Sequence, residues 1–68
     1  MKYVVVVEKS ENGFGAYVPD LPGCAVVAEN RDEALELIRE AVALHLESLR
    51  EAGSPIPDPV TTTDYVQV

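Results

Sequence analysis

Four consecutive valines, Val4-Val5-Val6-Val7, follow Tyr3 close to the start of the chain. This run constrains the fold more than any other feature. β-Branched side chains lose rotamer freedom in a helix and pack well on a pleated surface, so residues 3–7 read as a strand. Side chains alternate along a strand, which places Tyr3, Val5 and Val7 on one face and Val4 and Val6 on the other. Both faces are apolar. A sheet built on such a strand needs cover on both sides.

The rest of the chain offers little to cover it with. Ser10-Glu11-Asn12-Gly13 reads as a hairpin turn, because Asn-Gly tolerates positive φ at both central positions. A second strand is expected at 14–18, with Gly13 and Gly15 marking a bulge or a close backbone approach. Pro19, Asp20, Leu21, Pro22 and Gly23 form a structural loop, since two prolines remove ladder donors and Gly23 permits a tight turn. A third, largely apolar strand follows at 24–28.

Asn30 opens the single helix, and Glu33 stands three residues on, at capping-box spacing. Asp32 and Glu33 suit the positive end of the helix dipole. Apolar residues recur from Ala34 to Ala52 over an arc of roughly 200°, wider than a one-sided helix needs. Gly53 is the expected C-terminal stop, and Pro55 prevents continuation. Prolines at 55, 57 and 59 read as a stiff extended connector. The Thr-, Tyr- and Val-rich residues 61–68 read as a fourth strand. The expected class is α+β, in the order β-β-β-α-β. A small antiparallel meander and a fourth strand carry one helix on one face.

Residues 1–68 make one domain and no more. A chain of this length buries only about 60% of its unfolded surface, yet 47% of its residues are apolar. Small domains with marginal cores use a staple. One cysteine makes no internal disulfide, and one Cys with one His makes no structural zinc site. Self-association is what remains, so a homodimer or higher oligomer is expected, through the sheet face or the last strand.

Five basic against twelve acidic residues leave a net charge of −7. Phosphate neutralisation requires Lys and Arg, so no direct nucleic-acid binding by this chain and no docking on an anionic membrane are expected. A basic protein is the complementary partner. No run approaches a membrane span or a signal-peptide core, and the expected location is the cytoplasm.

Catalytic constellations are thin. Cys24 and His45 are the only residues of their kinds, and no third orienting group accompanies them. A small strand cysteine and a half-buried helix histidine are the better readings. The carboxylates lack the alternate spacing of a calcium loop. No cofactor, metal or enzymatic role is expected. Glu33, Glu36, Glu40, Glu47 and Glu51 project along the polar side of the helix, flanked by Arg39 and Arg50. A solvated face is the plain reading. A docking surface for a basic protein, imitating a nucleic-acid backbone, is the functional one.

Three ordered motifs add a resemblance. The run from Phe14 to Cys24, containing Val18-Pro19-Asp20-Leu21-Pro22-Gly23-Cys24, resembles the signature of the HicB-like antitoxin family. Asn30-Arg31-Asp32-Glu33-Ala34-Leu35 is similar to its helix start, and Gly53-Ser54-Pro55-Ile56-Pro57-Asp58-Pro59 to its Gly-x-x-Ile-Pro-x-Pro. The resemblance spans nearly the whole chain.

It implies a partial ribonuclease-H-like fold with sheet order 3-2-1-4 and no nuclease activity. It also implies a partner, a small basic HicA-type toxin that cleaves mRNA. The antitoxin would neutralise that toxin by covering its RNA-binding surface. The family often adds a C-terminal DNA-binding domain, which residues 1–68 leave no room for. The partner-binding candidates are Asp20, Glu33, Glu36 and Glu40. The alternative is a stand-alone oligomeric structural or regulatory domain without a toxin.

Overall fold

A computed structural model describes all 68 residues. Three strands and one helix follow in the order β1 (Val6–Ser10), β2 (Gly13–Tyr17), β3 (Ala25–Ala28) and α1 (Arg31–Glu51). The strands form an antiparallel meander, β1-β2-β3, and α1 packs against all three. The α+β class and the single helix on one sheet face are as expected.

The register sorts the side chains. Val7, Ala16 and Val26 align across the sheet, as do Phe14 and Ala28, and these rows face the helix. Val6, Tyr17 and Ala25 align on the other face, with Val27 in the next row. That outer face has no cover: Val27 is 82% exposed and Tyr17 40%. Tyr3, Val5 and Val7 pack against the core, the inner face read from the alternation.

The core itself is small. Its buried members are Ala16, Val18, Leu21, Cys24, Ala34 and Ile38. Half of them lie in or beside the proline loop, which is folded tightly. Leu21 N donates to Val18 O and Cys24 N donates to Leu21 O, so two β-turns follow each other. Each has proline at its second position, where a φ near −65° is wanted. The second needs positive φ at its third position, and Gly23 supplies it at 83°. Val18 N donates to Cys24 O and closes the loop. Leu21, between the two turns, is driven fully into the core.

The helix ends follow the sequence closely. Asn30 Oδ1 accepts from Glu33 N at 2.8 Å. At the other end Gly53 has φ 69°, Gly53 N donates to Arg50 O, and Ser54 N donates to Leu49 O. This is the paired bonding of a Schellman stop. The helix stripe is wider than its seat: Leu44, at its border, is 67% exposed.

Three expectations are corrected. First, residues 61–68 form no strand: the observed order β1-β2-β3 is the 3-2-1 part of the expected 3-2-1-4, without strand 4. A strand exists only where a neighbour completes its ladder. Here the backbone hydrogen bonds outside the helix and strands are confined to residues 18–54.

Second, β1 begins at Val6 rather than Tyr3, because its partner β2 ends at Tyr17, opposite Val6, and the chain then turns away. Third, the hairpin does not use positive φ. Its loop residues are Glu11 and Asn12, between the paired Ser10 and Gly13, and the only positive-φ residues in the chain are Gly23 and Gly53. Gly13 is needed for space instead. A Cβ there would lie 2.3 Å from the Ala28 carbonyl oxygen, the close approach foreseen for it.

Candidate functional site

The four expected contact residues fall in two places. Glu33, Glu36 and Glu40 are exposed on α1. At 100° per residue they share an arc of about 60° with Glu47 and Glu51, a line of five carboxylates roughly 27 Å long. The helix buries Ala34 and Ile38 on its opposite side, so the core fixes this stripe outward. Exposed Leu44 borders it. Glu33 also reaches an open hollow of about 410 Å³ at the hairpin end, together with Glu29, Asn12 and Phe14.

Asp20 lies apart from this stripe and is engaged within the chain. Its Oδ2 accepts from Thr61 N at 3.0 Å and its Oδ1 from the Thr61 hydroxyl at 2.8 Å. The backbone donor, then the hydroxyl, hold the carboxyl below its ordinary value of 3.8. Asp20 thus ties the segment after the prolines to the turn between β2 and β3. The 41-residue separation gives no local signal for this bond. Tyr3 acts similarly, its hydroxyl donating to Pro57 O.

The candidates for nucleophilic chemistry are placed against it. Cys24 is buried, and burial pushes its thiol pKa up, the wrong direction for a nucleophile. His45 is half-buried within the apolar arc. Nowhere do three His, Cys, Asp or Glu side chains gather as metal ligands. No helix is long and apolar enough to cross a membrane.

A second concavity was not foreseen from the sequence. Between the segment ahead of β1 and the helix lies an open apolar groove of about 550 Å³, walled by Tyr3, Val5, Ile38, Val42 and Leu46. Only the tertiary fold brings these residues together.

Comparison with known proteins places the chain. It is 41% identical over 58 residues to a UPF0150 protein of Thermoplasma acidophilum, covering 84% of each. It is 46% identical over 48 residues to one of Archaeoglobus fulgidus, covering 69% of this chain and 70% of that protein. A chain of the HicA3 and HicB3 toxin-antitoxin complex superposes with a TM-score of 0.74 at 32% identity, over 88% of this chain and 70% of that one. The model of the HicB_like antitoxin of bacterial toxin-antitoxin systems matches residues 3–68. With that match running through strands, proline loop and acidic helix alike, the chain belongs to the HicB-like antitoxin family.

Proposed function

We propose that this chain is an antitoxin-like binding protein that neutralises a small, basic, HicA-type mRNA-cleaving toxin. It would act in the cytoplasm by covering the toxin's RNA-binding surface, as a protein ligand and not as an enzyme. The stripe of Glu33, Glu36, Glu40, Glu47 and Glu51 carries the reading. Five carboxylates along one side of a rigid helix present a line of negative charge, as a nucleic-acid backbone does, to a surface built to bind it. The structural likeness to a chain of a toxin-antitoxin complex supports the same partner class. Asp20, held by Thr61, is a second and separate candidate contact at the proline loop.

The test is co-expression with a HicA-type toxin, sought as a short Lys- and Arg-rich reading frame beside this gene; its absence would favour the second reading. The parent should restore growth. Glu33→Lys, Glu36→Lys and Glu40→Lys together should abolish rescue while leaving the circular dichroism spectrum unchanged. Unchanged rescue would remove the helix stripe from the mechanism.

A second reading is favoured by the small core and the bare outer face, where Tyr17 and Val27 stand exposed. In it the chain self-associates, as a homodimer or higher oligomer, and serves as a structural or regulatory unit without a toxin. Both readings share the self-association, which sedimentation equilibrium tests directly.

A further inference from the structure

The hollow at the hairpin end is built by three elements. Asn12 and Phe14 come from the hairpin, Val27 from β3 and Glu33 from α1, with Glu29 on the link between the last two. Its backbone is held in place. Gly13 lies so close to the Ala28 carbonyl that no Cβ fits between them, which pins the hairpin to the end of β3. The volume of about 410 Å³ falls in the range of small-ligand sites, roughly 300–1,000 Å³.

The lining has two chemical characters. Val27 is apolar and 82% exposed, and Phe14 adds an aromatic ring. Glu29 and Glu33 are exposed carboxylates, and no Lys or Arg shares the lining. The start of a helix by itself carries about half a unit of positive charge. Here Glu29, Asp32 and Glu33 set three full negative charges against that half charge and Arg31. The local field therefore favours a cation. An apolar wall beside carboxylates suits a long basic side chain, whose methylenes cover the wall while its head meets the acids.

A line of carboxylates looks nearly the same to a basic surface after a shift of one helical turn. It supplies attraction and a fast encounter but little register. Glu33 belongs to both the line and the hollow, so the hollow is a place where that line gains a shape. We propose that the hollow takes one arginine side chain of the basic partner, and so sets where along α1 that partner sits. A guanidinium is planar and weakly hydrated, and it offers five donors to Glu29, Glu33 and the Asn12 amide oxygen. Its plane and stem also suit Phe14 and Val27. A lysine ammonium is compact and strongly hydrated, and gains less here. The inference rests on the partner proposed above and names the side chain that partner must present.

The test titrates the full 15N-labelled chain with N-acetylarginine methylamide, and separately with its lysine counterpart. Salt is held at about 0.15 M, where the Debye length is about 8 Å and diffuse attraction is screened. The expected result is a saturable, millimolar response confined to the amides of Asn12, Gly13, Val27, Glu29 and Glu33. The lysine probe should bind several-fold more weakly. Val27→Lys should remove the saturable response, because it places an ammonium in the hollow. Val27 is exposed, so the rest of the spectrum should not change. Glu51→Gln, at the far end of the stripe, should leave the response within about twofold of the parent. Shifts spread evenly from Glu33 to Glu51, no saturation, or saturation that survives Val27→Lys would each overturn the site. Growth rescue tests the partner separately. Rescue without a localised response strikes the hollow alone, whereas a localised response without rescue supports the hollow and strikes the toxin reading.

Discussion

Gly13 and Gly23 show that two glycines of one chain serve different physical needs. Gly23 is required by φ, at 83° in the second turn of the proline loop. Gly13 is required by space, with the Ala28 carbonyl where a Cβ would go. Gly13→Ala should therefore destabilise the fold by about 1–3 kcal/mol, the cost of shifting packed backbone. Gly15→Ala, whose Cβ would meet Val26 O at an ordinary 3.8 Å, should stay within about 1 kcal/mol of the parent. Urea unfolding of the two variants checks the contrast.

Asp20 is the other residue whose role is set by one contact. Its folded pKa lies below 3.8 because Thr61 donates to the ionised form. A carboxyl with a depressed folded pKa adds stability that is present above the unfolded value and is lost as pH falls through the folded one. The Thr61 anchor should hold at neutral pH and release only as pH drops below 3.8. The Thr61 amide proton shift, followed from pH 7 downward, should titrate in that acid window. Asp20→Asn should leave no such transition and should speed Thr61 amide exchange at pH 7.

At the scale of elements, the helix and the proline loop were the most legible parts. Their signals are local. Asn30 caps through one bond to Glu33 N, and Gly53 stops the helix through two. Asn30→Ala should cost about 1 kcal/mol, read as a lower urea midpoint with an unchanged slope.

The strands were legible in number only as far as partners existed. The meander follows from the valine run and the turn residues, but residues 61–68 have strand composition without a strand. Composition states a preference for the pleated conformation, while a neighbouring edge decides whether the ladder forms. The hairpin turn shows the same limit. Asn-Gly announced a turn, and the turn lies one residue back, at Glu11-Asn12, with Gly13 paired in β2 where only a residue without Cβ fits.

For the whole molecule, the excess of apolar residues over available core was visible at once. Its location was visible too: the outer sheet face and the edge of an over-wide helix stripe. The acidic stripe was equally legible, since helical periodicity alone puts Glu33, Glu36, Glu40, Glu47 and Glu51 on one side. The Asp20–Thr61 tie and the groove beside β1 were not. They join residues far apart in the chain, and no periodicity links them. The sequence by itself determined the α+β class, the helix bounds, the tight proline loop and the sign of the surface, because each depends on neighbours within a few residues. Only the tertiary structure decided that Leu21 is fully buried in the core, that β1 keeps an open edge and that residues 61–68 join no strand. Those outcomes depend on which surfaces meet when the chain closes on itself.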